Sequence, residues 1–129
     1  MPLSQCGTPL RGSGKDQTVW KLEWTYSGAT GEVTLDTTQS DQHPNVPTPV
    51  ADGASTGLTN ITFPKCNRAW VLHRSIEAPT PGTAEQEAHV ADLDADAGTC
   101  TFVTLSDALA LEEGTEGARA RLILLLERP

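Results

Sequence analysis

The residues of this chain whose types and spacing first suggest chemistry are three alternating aspartates. Asp92, Asp94 and Asp96 are spaced like the first ligands of an EF-hand calcium loop. Such a loop needs glycine at its sixth position and glutamate at its twelfth, where this chain has Ala97 and Val103. We therefore predict that these aspartates lie at the tip of a hairpin and bind no calcium ion.

The histidines and cysteines could in principle converge on a metal ion, but their spacing does not indicate it. None of the intervals between cysteines matches a zinc ribbon or a redox Cys-x-x-Cys motif. His43 lies in a proline-rich stretch, whereas His73 and His89 lie in predicted strands. We expect neither a metal site nor a cofactor, and we expect Cys100 to be a small core residue.

Nucleophilic and phosphate-transfer chemistry are also weakly indicated. Gly12-Ser13-Gly14-Lys15 has the lysine of a P-loop but not its strand–loop–helix setting. No cysteine and histidine occur at a spacing typical of a catalytic pair. Carboxylate pairs are numerous only because the chain is acidic. The sequence predicts a protein that is not an enzyme.

Three aromatic residues alternate on one predicted strand and could form a platform for stacking sugars. Trp20, Leu22, Trp24 and Tyr26 alternate with Lys21, Glu23 and Thr25, a spacing that places the three aromatic side chains on one face. Aromatic residues are only 5% of the chain, so the core needs them. We predict that these three are buried.

Composition limits what the chain can bury and bind. Hydrophobic residues are 37% of the 129 residues, below the roughly 45–50% apolar share, glycine included, of soluble domains. Such a thin core favours stabilisation by a partner or a symmetric oligomer. The net charge of −8 argues against nucleic acid as the main partner, because nucleic-acid binders need a basic surface.

The beginning of the chain and its cysteine count favour a cytoplasmic site of synthesis. Residues 1–5 lack the basic start and apolar stretch of a secretion signal, and no run approaches the length of a membrane span. Three cysteines suit a reducing compartment. We expect a protein made in the cytoplasm that does not associate with membranes.

Alternation with a period of two predicts about seven strands. The resulting fold class is all-β, an antiparallel β-sandwich or barrel in a single domain over residues 18–129, preceded by an extended arm over residues 1–17. Residues 106–116 are ambiguous and could include one helical turn. The predicted core consists of Trp20, Leu22, Trp24, Val33, Leu35, Phe63, Trp70, Leu72, Phe102, Leu122 and Leu124.

The last predicted strand, over residues 117–126, is apolar on both faces in its second half. One face of this strand carries only apolar side chains: Ala118, Ala120, Leu122, Leu124 and Leu126. The other face carries Arg119 and Arg121 in its first half and Ile123 and Leu125 in its second half. A strand of this kind lies between two packed layers or against a partner chain. We therefore predict Ile123 and Leu125 as assembly contacts. Arg11 and Lys15 are predicted contacts too, since the polar arm needs a neighbouring chain to order it.

Several segments together resemble the small β-sandwich virion proteins of tailed bacteriophages, especially head decoration (cement) proteins. The resemblance covers residues 57–129 and rests on the segments Gly57–Pro64, Ala69–Leu72, Asp94–Val103 and Gly117–Leu126. It implies a structural protein on the outer capsid surface of the virion, bound to the major capsid protein and to copies of itself, for example as a trimer. It brings no catalytic residues. The acidic stretch from Glu77 to Glu116, which has no Lys or Arg, would then face outward.

Two other functions remain open at this point. One is a different phage structural role, in the tail or at the head–tail junction. The other is a carbohydrate-binding module for host recognition, which requires Trp20, Trp24 or Trp70 to be exposed in a groove.

Overall fold

The computed structural model describes residues 8–9, 17–27, 32–42, 46, 48–51, 56–80, 82 and 85–128. They form nine strands: β1 (Thr8–Pro9), β2 (Gln17–Ser27), β3 (Glu32–Leu35), β4 (Val50–Ala51), β5 (Leu58–Thr62), β6 (Arg68–Glu77), β7 (Glu87–Asp94), β8 (Thr99–Leu105) and β9 (Arg119–Glu127). β1 and β4 have two residues each, so seven strands are longer, as predicted. None of the described residues is helical, and they therefore include no helix that could cross a membrane.

Two antiparallel sheets pack face to face, which confirms the predicted all-β fold. The first sheet has the order β1-β2-β9-β6, with β3 also paired to β2, and the second has the order β4-β5-β8-β7. Side chains from the two sheets pack against each other: the ring centroids of Trp24 and Phe102 are 4.9 Å apart, in an edge-to-face arrangement. The Tyr26 hydroxyl lies 2.9 Å from the hydroxyl of Thr59. The architecture is that of a β-sandwich.

The core follows the alternation of side chains along β2, β8 and β9. Of the predicted core residues, Trp20, Leu22, Trp24, Phe63, Phe102, Leu122 and Leu124 are buried, and Val33 and Leu35 are half-buried against them. Cys100 is buried, as predicted.

The prediction that Trp70 and Leu72 belong to the core was wrong. Trp70 is 39% exposed and Leu72 is 54% exposed. The inward positions of β6 are instead Ala69 and Val71, which pair with Leu126 and Leu124 and pack against the core. Both alternating sets of β6 are apolar, and the register of pairing selects the smaller set for the interior.

The last strand lies at the centre of the first sheet, between β2 and β6. Its inward residues Ala120, Leu122, Leu124 and Leu126, together with Ala118 before it, are almost completely buried. Arg119 and Arg121 face outward and are exposed. The predicted separation of an inward apolar set from outward arginines on this strand is therefore correct.

The turn at residues 94–98 was predicted from the sequence, whereas the form of the turn that begins at residue 106 was not. The predicted turn at residues 94–98 is present, with Gly98 at a φ of 70°. Residues 106–116 form no helical turn. They begin with a tight turn, and a β-bridge between Leu105 and Leu111 closes it.

The arm predicted over residues 1–17 is described only at Thr8–Pro9 and Gln17. Thr8–Pro9 pairs with Thr18 and Val19 of β2 in the same chain. Arg11 and Lys15 lie outside the described residues.

Candidate assembly surface

Ile123 and Leu125 lie on the outer face of the first sheet, the face turned away from the core. Leu125 is paired with Val19 on one side and with Trp70 on the other. Ile123 is paired with Lys21 and with His73. Both side chains are half-buried. The sheet thus forms a row of apolar side chains that runs across three strands.

A bulge in β6 enlarges this row. The pairing of β6 with β9 shifts register between Val71 and His73, which leaves Leu72 as the extra residue. Leu72 is more than half exposed, and Trp70 lies two residues before it. Bulges commonly redirect side chains at the edges of sheets. We refer to Val19, Trp70, Leu72, Ile123 and Leu125 as the outer strip.

Positive charge is concentrated on the sheet that carries the outer strip. Of the seven Lys and Arg side chains of the described residues, six lie on β2, β6 or β9 or directly after β9, and Lys65 lies in the loop between β5 and β6. They are Lys21, Lys65, Arg68, Arg74, Arg119, Arg121 and Arg128. The strands of the second sheet contain no Lys or Arg, while β7 alone contains Glu87, Asp92 and Asp94. The two sheets therefore differ in charge as well as in sequence.

A buried carboxylate organises the cations at one end of the outer face. The Glu23 side chain is only 7% exposed, and its Oε1 accepts a hydrogen bond from Arg119 at 2.8 Å. Arg121 lies 3.4 Å from the same oxygen, and Arg119 also reaches Asp36 at 3.2 Å. A carboxylate this buried needs such partners. The cluster joins Arg119, at the start of β9, to Arg121, which lies two residues before Ile123 of the outer strip.

Hydrogen bonds set the charge state of two members of this cluster, Asp36 and Arg119. The Thr38 hydroxyl, which donates to Asp36 Oδ1 at 2.8 Å, is the main cause of the lowered pKa of Asp36. The hydrogen bond to Glu23 is the main cause of the raised pKa of Arg119. Both groups therefore stay charged, and the contribution of Asp36 to stability is lost only when the pH falls through its lowered pKa.

The candidate metal ligands that the structure describes do not come together. Among residues that the structure describes, no group of three or more His, Cys, Asp or Glu side chains could hold a metal ion. His73 Nε2 lies 2.9 Å from the Ser75 hydroxyl, and His89 Nε2 lies 3.3 Å from Glu87. His43 lies outside the described residues.

The three aspartates lie at the hairpin tip where the sequence placed them. Asp92, Asp94 and Asp96 are all exposed. Asp94 shapes the turn, because its Oδ1 accepts a hydrogen bond from the Ala97 amide at 3.0 Å.

The possible sugar platform on β2 is not available for stacking. Trp20, Trp24 and Tyr26 are each 2% exposed or less, which confirms that they belong to the core. Trp70 is the exposed tryptophan, and it lies within the outer strip.

Sequence reasoning overlooked a pentapeptide with the spacing of a hydrolase nucleophile elbow. Residues 53–57 read Gly-Ala-Ser-Thr-Gly, but the elbow places its serine between a strand and a helix. Here the next element is strand β5. Ser55 itself lies outside the described residues.

Burial keeps the two described cysteine thiols in their neutral form. It raises the pKa of Cys66 to about 11 and that of Cys100 to about 12. Both are free cysteines. Because the thiolate is the reactive form, neither side chain is suited to act as a nucleophile.

We expect Cys66 and Cys100 to resist alkylation by iodoacetamide near neutral pH in the folded protein and to react fully in denaturant. Peptide mass spectrometry reads each site separately. Stability should fall as the pH rises above 9, the ordinary thiol pKa, because the unfolded chain loses its thiol protons before the folded one. Rapid labelling of Cys100 in the native protein would contradict its burial.

The chain matches no family model, and no curated protein or solved structure matches it either.

Proposed function

We propose that this protein is a structural component of a tailed-phage virion that assembles with copies of itself, binds the outer surface of the head and reinforces it. The observation that carries the proposal is the row Val19–Leu125–Trp70 on the outer face of the first sheet. The resemblance of residues 57–129 to head decoration proteins supplies the setting.

The outer strip has the composition of an assembly surface. Apolar side chains grouped on an exposed face lose contact with water when a partner covers them, which stabilises the complex. Trp70 supplies an aromatic side chain, a residue type enriched where interfaces derive most of their binding energy.

Reinforcement of a shell follows from repetition of such a contact. Internal DNA presses outward on the capsid, and rupture must break contacts between neighbouring capsomers. A protein that covers apolar area at each of these sites adds to the free energy that rupture requires. No catalytic group is needed for this role.

Except for Glu77, which ends β6 of the first sheet and pairs with Arg119, the acidic residues suit the opposite side of the same molecule. Of the ten Asp and Glu residues between Glu77 and Glu116, all except Glu113 are exposed. Facing outward, they would keep particles apart by mutual repulsion.

We expect phage particles without this protein to form but to release their DNA at a lower temperature and under milder osmotic shock or chelation than complete particles. Adding back the wild-type protein should restore resistance. A Leu72→Asp variant should restore less, because it places a charge in the outer strip. DNA release is followed by the fluorescence of a DNA-binding dye during heating.

Asn60→Asp is the matched control, since Asn60 is exposed on the outer face of the second sheet and the change in net charge is the same. It should restore resistance fully. Identical release curves with and without the protein would overturn the reinforcing role. Labelling that located the protein at the tail tip or at the head–tail junction would show that its place in the virion is there and not on the head.

A further inference from the structure

The two long strands that end the sheets lie on the same side of the sandwich, and each has a free edge. β6 ends the first sheet and β7 ends the second, so among the described strands each has one paired neighbour. β6 has 10 residues and β7 has 8, which is longer than a typical strand. Long free edges with apolar residues such as Trp70 and Val90 invite pairing with another chain.

The terminal strands at the other ends of the two sheets are protected by their shortness. β1 and β4 end the orders of the first and second sheets and have two residues each. β1 also contains Pro9, which has no amide hydrogen to offer a neighbouring strand. Very short edge strands and proline both hinder edge pairing. The long strands β6 and β7 need a different protection.

A hydrogen bond from Arg74 joins the two long edges. Arg74 pairs with buried Leu122, so position 74 belongs to the inward set of β6. Its side chain is nevertheless exposed, and its Nε–H donates to the carbonyl oxygen of Ala88 on β7 at 3.0 Å. The guanidinium group therefore links the last strand of the first sheet to the last strand of the second. We refer to this contact as the Arg74 latch.

The Ala88 carbonyl is one of the groups that an added strand would need. Ala88 lies opposite Thr104 of β8, but the Thr104 amide donates to the Gly57 carbonyl at 2.8 Å, on the side of β5. Ala88 and Thr104 are therefore a non-hydrogen-bonded pair of the ladder. The N–H and C=O of Ala88, and by alternation those of Val90, point to the free edge of β7. Any chain that paired with β7 here would compete with Arg74 for the Ala88 oxygen.

A bulge interrupts each long edge as well. The register of β6 with β9 shifts after Val71, and that of β7 with β8 shifts after Ala91. Asp92, in the second bulge, has a φ of 52°. Bulges twist an edge strand and break the regular spacing of its hydrogen-bonding groups. The regular part of the β7 edge therefore ends soon after the residue that Arg74 occupies.

We propose that the Arg74 latch, together with the two bulges, keeps the edges of β6 and β7 from pairing with the edges of other copies of this chain. The latch occupies an acceptor that edge pairing needs and places a charge between the two edges. Without it, β7 is open to strand addition, which builds fibres when it repeats from copy to copy. The inference goes beyond the proposed function and does not depend on it. It leaves the faces of the sheets, and not their edges, for contacts between copies.

The first test is Arg74→Met, which keeps an unbranched side chain but removes the charge and the donor. Thioflavin T fluorescence of the agitated, folded protein should show fibres after a lag at least about tenfold shorter than that of the wild type, because the free energy of one hydrogen bond from a charged group corresponds to a factor of this size.

Two control variants separate the latch from a general effect of mutation. Arg68→Met makes the same change on the same strand, but Arg68 pairs with Glu127 and belongs to the outward set. Ile61→Val removes a buried methyl group from β5, an internal strand, and so lowers stability without touching an edge. Both should keep the lag of the wild type.

The second test locates the new contact by quenched hydrogen exchange read by nuclear magnetic resonance. The Ala88 and Val90 amides should exchange fast in the soluble wild-type protein, because they point to the free edge, and slowly in Arg74→Met fibres. Adding Ala88→Pro to Arg74→Met should restore the long lag, since proline blocks an edge and here removes no hydrogen bond to β8.

Three results would overturn the inference: an Arg74→Met lag equal to that of Arg68→Met, an equally short lag in Ile61→Val, or fibres in which the Ala88 and Val90 amides still exchange fast. None of them bears on DNA release from phage particles, so the proposed function is tested separately.

Discussion

Replacing Trp24 by alanine should lower the free energy of unfolding by about 3–5 kcal/mol, the usual cost of truncating a fully buried aromatic side chain. Trp24 is 0% exposed and lies edge to face against both Phe102, at 4.9 Å, and Tyr26, at 6.5 Å, between ring centroids. Its removal leaves a cavity between the two sheets that the surrounding strands can fill only in part. Urea unfolding followed by circular dichroism measures the change.

Trp70→Ala removes the same side chain from the outer strip and is the control. Because Trp70 is 39% exposed and lies outside the core, its replacement should cost less than about 1.5 kcal/mol in the isolated protein. Equal losses for the two variants would show that the sandwich is not packed around Trp24.

Replacing Gly98 by alanine should also destabilise the fold strongly, by about 2–5 kcal/mol. Its φ of 70° costs an L-residue about 1–2 kcal/mol. The added Cβ would also collide with the carbonyl oxygen of Phe63, and overpacking of this kind costs about 1–3 kcal/mol more. That oxygen belongs to the backbone of a buried residue, so it cannot move without disturbing the edge of the core. Thermal or urea unfolding measures the loss.

Gly82→Ala separates the two contributions. Gly82 has a φ of 89°, yet an added Cβ there would have no atom within 4 Å. Its replacement should therefore cost only the conformational part, about 1–2 kcal/mol. If the two alanine variants were equally stable, the contact between Gly98 and Phe63 would not constrain the turn.

Much of this fold is encoded locally and could be predicted from the sequence. Alternation placed Trp20, Leu22 and Trp24 on the buried face of β2, and a glycine in the right position indicated the turn at Gly98. β6 was harder because Trp70 and Leu72 alternate with Ala69 and Val71, and both sets are apolar. The choice between them depends on the register with β9, which is set by long-range pairing.

The candidate surface could be predicted only in part for the same reason. Ile123 and Leu125 stood out because they make one strand apolar on both faces. Their neighbours Val19 and Trp70 come from strands far away in sequence, so no local pattern joins the four residues. The exposure of Leu109 was hidden as well, because a run of Ala and Leu is typical of a helix, whereas here hydrogen bonds to Ser106 hold it in a turn.

The separation of charge between the two sheets gives the molecule an electric dipole across its thickness. The strands of the first sheet carry Lys and Arg together with Glu23, Glu32, Glu77 and Glu127, while the strands of the second sheet carry carboxylates and no Lys or Arg. A molecule of this kind is turned by the field of an acidic surface before it touches that surface, so that productive orientations are over-represented among its encounters. The dipole thus acts on the rate of association and leaves the lifetime of the complex to the apolar contacts.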